Sequence, residues 1–159
     1  MSRRAAIRMS HDEVVAFLEE ERTLTIATLG RDGWPHLMPL WYVVRSAPDG
    51  RGGGVWAWTY AASQKVRNLE RDPRCTLQIE AGTEYDQLRG VMMKAHARLH
   101  RDVDDVWSIG AELAVRYGGA SITPEVEAAM RKQAAKRVGL EFVVSGTASW
   151  DHRKLGGTD

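Results

Sequence analysis

Two cations open one short segment of this chain. In YAASQKVRNLERDP, Tyr60 to Pro73, Ser63 stands where a helix N-cap belongs. Lys65 lies in the first turn that follows, with Arg67 at its end. That end of a helix carries partial positive charge, so cations there are repelled. Two readings are open. In one, Val66 and Leu69 pack inward, the cations stay solvated, Arg67 pairs with Glu70, and a penalty of roughly 0.3–1 kcal/mol is tolerated. In the other, outward N–H groups, a hydroxyl and two cations surround one phosphate. Spacing alone does not choose between them.

Other chemistries find less support. His96 and His100 share one face of a strand, but their Cα atoms lie roughly 13 Å apart at about 3.3 Å per residue, too far for one metal ion. No HExxH or CxxC spacing exists. Ser63 and Ser145 stand outside any GxSxG elbow, and the single Cys75 reads as strand core, so no nucleophilic set forms. Gly50, Gly52, Gly53 and Gly54 do not lead from a strand into a helix, as a dinucleotide loop requires. Trp56, Trp58 and Tyr60 share one strand face. That stripe could stack on a planar ligand, but interior packing or a subunit interface is its commoner use.

Composition bounds the rest. The chain has 159 residues, 43% apolar and 27% charged, which suits one domain spanning 1–159. A formal net charge of +1 gives no support for nucleic-acid binding. No apolar stretch approaches the roughly 20 residues that span a bilayer, and MSRRAAIRM is followed by no apolar run of a secretory signal. The expectation is a cytoplasmic protein with no membrane or nucleic-acid partner.

The elements that must hold these residues read as follows. Ser10 with Glu13 forms a capping box for a helix over 10–20. TLTIATLG (23–30) is a strand, Asp32-Gly33 turns it, and PHLMPLWYVV (35–44) pairs back. Pro39 cannot donate to a ladder, so that strand is bulged or at an edge there. Strands follow at 55–60, 74–81 and 88–100. Two helices follow, over 102–117, closed by Gly118-Gly119, and over 123–137, opened by Thr123-Pro124. A last strand begins near Val138. Residues 1–9 form an N-terminal arm and 150–159 a charged C-terminal tail. Six mainly antiparallel strands with flanking helices most simply close into a barrel.

Read together, TLTIATLGRDGWPHLMPLWYVV, WTYAASQKVRNLERDPRCTLQIE, LRGVMMKAHARLHRD and VVSGTASWDHRKLGG resemble the pyridoxamine 5'-phosphate oxidase-like superfamily. Within it they are most similar to the flavin/deazaflavin-dependent oxidoreductases typical of actinobacteria. The resemblance covers about residues 10 to 155. It implies a six-stranded split β-barrel that binds FMN-type cofactors, and a homodimer with two cofactor sites at the subunit interface. It implies that Lys65, supported by Thr59, Ser63 and Arg67, contacts the cofactor phosphate. It implies that Met38, Pro39, Leu40 and Trp41 lie along the tricyclic ring. Trp150, Arg153 and Lys154 would reach the site from the other subunit. Many relatives have a Gly where this sequence has Ala95 or His96, and the further Arg and His residues with which pyridoxamine phosphate oxidase grips its vitamin substrate are not placed in this sequence, which argues against vitamin B6 oxidation. The expected activity is hydride transfer from reduced coenzyme F420 to an unsaturated or quinone-like small-molecule acceptor. FMN in the same site, and a non-catalytic cofactor carrier, are the alternatives. A deazaflavin's oligoglutamate tail would use further cations such as Arg67, Arg71 or Lys154. No catalytic side chain is required, because the cofactor carries the chemistry.

Overall fold

Alternating apolar residues set the strands, and one aromatic residue decides how they close. The computed structural model describes residues 3–46, 53–119 and 121–156. Seven strands run β1 (Thr23–Leu29), β2 (Pro35–Trp41), β3 (Val43–Ser46), β4 (Gly53–Tyr60), β5 (Arg74–Ala81), β6 (Arg89–His100) and β7 (Arg137–Asp151). They form one antiparallel sheet in the order β2-β1-β5-β6-β7-β4-β3. β2 and β3 thus stand at opposite ends of the sheet although only Tyr42 separates them in sequence. The sheet must curl until its two edges meet at that residue. Its inner face is apolar: Leu24, Ile26, Leu77, Ile79, Val91 and Leu140 are fully buried there.

The count is seven rather than the expected six, because the strand read over 35–44 breaks at Tyr42. Tertiary contacts impose the break. The Tyr42 hydroxyl donates to the Leu18 carbonyl at 2.7 Å, with the Glu21 carbonyl 3.0 Å away. Burial raises its pKa, so it stays a donor. The Tyr42 amide donates to the Tyr117 hydroxyl at 2.9 Å, and that hydroxyl lies 2.7 Å from the Arg22 carbonyl and 2.8 Å from the Tyr42 carbonyl. Pro39 sits opposite Thr25 in an unbroken register, so the edge position, not a bulge, accommodates it.

Among the described residues five α-helices flank the sheet: α1 (Arg3–Ala6), α2 (His11–Glu20), α3 (Gln64–Arg71), α4 (Val103–Gly118) and α5 (Pro124–Ala134). α1 lies inside the segment read as an arm. The Ser10–Glu13 capping box forms in both directions, and Gly119 ends α4 with φ 59°. Phe17 and Leu18 of α2 and Val66 and Leu69 of α3 join the barrel core. α4 packs outside it, where Ile109 and Leu113 meet Val43, Trp56, Trp58 and Tyr117. The Trp56–Trp58 stripe is therefore covered by a helix rather than turned into the barrel. A Cβ on Gly110 would come within 2.4 Å of Trp58, so the glycine lets helix and ring meet. The glycine-rich loop at 47–52 lies outside the described residues. No described helix is long and apolar enough to cross a membrane.

β6 and β7 pair along their length with one irregularity. Lys94 faces Gly146 and Ala95 faces Val144, leaving Ser145 as an extra residue whose hydroxyl donates to the Lys94 carbonyl at 3.2 Å.

The seam gives a direct test. Tyr117→Phe removes the acceptor of the Tyr42 amide and is expected to destabilise by about 1–3 kcal/mol in urea unfolding. Hydrogen exchange at the Tyr42 amide should quicken with it. Tyr42→Phe should cost only about 1 kcal/mol, because Arg116 also donates to the Leu18 and Glu21 carbonyls.

Candidate functional site

Lys65 turns into the protein. Its side chain is buried, at 7% exposure, and its ammonium donates to Thr59 Oγ1 at 2.9 Å. No carboxylate pairs with it among the described residues. Burial lowers its pKa from the usual lysine value. Ser63 occupies the N-cap position of α3 with extended backbone angles, yet its hydroxyl makes no capping bond and is buried without a partner among the described residues. The Val66 and Arg67 amides both reach the Ser63 carbonyl, at 3.1 and 3.3 Å, and the Gln64 and Lys65 amides have no protein acceptor among the described residues. One buried cation, one orphaned hydroxyl and the free amides of a helix start thus fall within three consecutive residues at the head of α3. This donor set suits an anion with several oxygens, such as a phosphate.

The helix that presents this set is fastened from behind. Asn68 is fully buried; it donates to Thr28 Oγ1 at 3.0 Å and accepts from Gln64 at 2.9 Å. Arg71 donates to the Leu29 carbonyl. These bonds fix α3 against β1. Asn68 stands inside the NLERDPR stretch but drew no role from sequence, since an asparagine at mid-helix carries no positional signal of its own.

Arg67 points elsewhere. Two residues along a helix rotate the side chain by about 200°, and Arg67 is exposed. It lines a groove of about 580 Å³ with Arg31, Gln64, Glu70 and Arg71. Glu70 pairs with Arg101 rather than with Arg67. The structure therefore separates the two cations: Lys65 belongs to the inner set and Arg67 to an outer basic groove.

Met38, Pro39 and Trp41 lie exposed on the edge strand, with Leu40 half-buried. Trp41 stacks on Tyr117 with ring centroids 4.6 Å apart. Pro39, Leu40 and Trp41 share a cleft of about 460 Å³ with Thr23, Trp58 and Arg137. Thr59, Ser63 and Lys65 do not line it. Arg137, placed opposite Tyr60 in the ladder, is a member that sequence reasoning passed over. Lys136-Arg137 read there only as the end of a helix.

The C-terminal residues are engaged within their own chain. Trp150 sits across from Gly90, where a Cβ would meet its ring at 2.3 Å. Arg153 makes a two-pronged pair with Asp151, at 2.9 and 2.7 Å, which holds that carboxyl below its usual pKa. Lys154 bonds the Arg8 carbonyl at 2.9 Å and Glu13 at 2.7 Å. Cys75 is buried as expected, and burial pushes its thiol up to about 12. No group of three metal-ligating side chains occurs among the described residues.

A curled antiparallel sheet of this order, with α2 and α3 packed into its core, defines a split barrel of the pyridoxamine 5'-phosphate oxidase-like superfamily, whose fold binds flavins or deazaflavin. The family model described as pyridoxamine 5'-phosphate oxidase matches residues 10–151, and the chain belongs to that family. Among solved structures, a conserved hypothetical protein from Mycobacterium tuberculosis is 40% identical at a TM-score of 0.87, covering 100% of this chain and 95% of its own. An F420 reductase is 17% identical at a TM-score of 0.62, covering 83% of this chain and 93% of its own. The heme storage protein HutZ from Vibrio cholerae is 18% identical at a TM-score of 0.65, covering 87% and 94%. At these identities the last two share the fold alone. No curated protein matches the chain in sequence.

Lys65 carries a stability signature. A buried ammonium with a lowered pKa means that the unfolded chain holds the proton more tightly, so stability rises with pH through that window. Lys65→Met removes the charge and should stabilise the ligand-free protein near neutral pH. The gain should shrink as pH climbs from about 7 to about 10, read as urea midpoints of both proteins.

Proposed function

We propose that this protein is an oxidoreductase that moves hydride from reduced coenzyme F420 to an unsaturated or quinone-like acceptor. One observation carries the reading: among the described residues, a buried lysine has the Thr59 hydroxyl as its only partner, two residues from the unpartnered hydroxyl of Ser63 at a helix start. In this reading Lys65, Ser63 and Thr59 hold the cofactor phosphate, and the backbone of Met38 to Trp41 supports the ring. When bound, the deazaflavin supplies the hydride chemistry. The chain's part is to bind, to orient and to exclude water.

The outer groove favours the deazaflavin over FMN. Arg31, Arg67 and Arg71 line it next to the helix that carries Lys65, and an oligoglutamate tail is the part of F420 that such cations would meet. FMN offers nothing to that groove. Homodimerisation belongs to the same proposal. Trp34 and Leu37 are 75% and 58% exposed on and beside the edge strand, an apolar pair suited to a second subunit. That subunit would bring Trp150, Arg153 and Lys154 to the site, with the last two first exchanging their internal partners.

Titration with F420, FMN and hemin, followed by absorbance and fluorescence quenching, tests the cofactor. F420 is expected to bind tightest. Preference for hemin, or silence with all three, would remove the proposal. Bound F420 that no quinone or enone panel reoxidises anaerobically would leave a carrier instead. Lys65→Ala should weaken FMN binding about tenfold or more while hardly changing riboflavin binding, which lacks the phosphate. Equal losses would take Lys65 out of the phosphate site.

A further inference from the structure

Three arginines stack on tryptophan among the described residues, and two of them spend their charge on carboxylates. Arg45 lies 4.6 Å from the Trp56 ring and pairs with Glu112 at 2.7 Å. Arg131 lies 4.6 Å from the Trp107 ring and pairs with Asp104 and Glu127. Arg137 differs. Its guanidinium lies 4.5 Å from the Trp58 ring and 4.1 Å from that of Tyr60, yet it pairs with no carboxylate among the described residues. Among the described residues its one side-chain hydrogen bond runs from Nη2 to Gln133 Oε1 at 3.1 Å, and its Nε is buried without a partner. An arginine has five donors in a rigid fork, so most of this one's capacity is unspent.

The surroundings give that fork a shape to work with. Arg137 lines the cleft of about 460 Å³ formed with Pro39, Leu40, Trp41, Trp58 and Thr23. Its walls are mainly apolar and aromatic around a single cation, which is the usual make-up of a small-molecule site. The walls are also held flat. Trp58 is pinned by Gly110, and Trp41 lies within 10° of parallel to Tyr117. Thr59 is buried in the barrel while Tyr60 faces out, so Arg137 and Lys65 address opposite faces of β4.

We propose that this cleft is a second binding site, for a planar small molecule bearing a carboxylate. The carboxylate meets the Arg137 fork, and the planar body lies against Trp41 and Trp58. If the ring of the cofactor runs along Met38 to Trp41, the natural occupant is the hydride acceptor. That assignment of role rests on the proposed function; the binding itself does not.

The test compares 2-naphthoate with the neutral 2-naphthamide on the full-length protein by titration calorimetry and tryptophan quenching. Naphthoate is expected to bind about tenfold tighter or more. Arg137→Gln should bring the two ligands to parity. Arg137→Lys, which keeps the charge but not the fork, should fall between. Lys65→Ala should leave the preference unchanged. No binding of naphthoate at millimolar concentration, equal affinity for acid and amide, or a preference that survives Arg137→Gln would each overturn the site. So would its loss on Lys65→Ala. Should Arg137→Gln fail to fold, the acid-to-amide ratio of the unaltered protein and the Arg137→Lys variant still decide. A protein that takes up no cofactor yet keeps this preference would overturn the proposed function and leave the site standing.

Discussion

The barrel depends on a bend at one residue. β2 and β3 pair with different partners at opposite ends of the sheet, and Tyr42 alone joins them. The hydroxyl of Tyr42 ties the bend to the end of α2, and the hydroxyl of Tyr117 ties its amide to α4. Closure is therefore made by side chains from elements on either side of the sheet rather than by strand pairing alone. The same hydroxyl-bearing ring stacks on Trp41, a wall of the cleft, so the seam of the barrel backs the candidate site. Fold and candidate site share this joint.

Much of this was legible in the sequence, and the reasons for the exceptions are physical. The capping box at Ser10, the Thr123-Pro124 start and the Gly119 stop are local devices, so local reading finds them. The split at Tyr42 is not local. LWYVV is unbroken β-forming sequence, and the contacts at its bend come from the end of α2, some 24 positions away, and from α4, some 75 positions away. The edge position of Pro39 was readable because a missing donor has few tolerable places. The aromatic stripe was read as one face but not as the face under α4, since period two gives alternation without saying which side a distant helix will cover.

The candidate site divides along the same line. Lys65 and Ser63 were paired in sequence by a helix start; the structure buries the Lys65 side chain and the Ser63 hydroxyl. That Arg67 would join them did not follow, because the rotation between neighbouring-but-one helix positions sends it outward. Asn68 and Arg137 carried no sequence signal. Each acquires its part only when β1 or β4 is laid beside it. An eight-residue helix thereby serves two directions, one buried cation on the inside and a basic groove on the outside.

Ser145 has a consequence that reaches the end of the chain. Before it, even-numbered residues of β7 such as Val138, Leu140 and Phe142 face the core; after it, Ser149 and Asp151 take that face. The extra residue works like a one-letter shift in a reading frame. It turns Asp151 inward, where its amide meets the Ile7 carbonyl, and Trp150 outward over Gly90. Shorten the strand there by one residue and every side chain downstream changes sides, exchanging an indole for a carboxylate at the boundary where the tail begins.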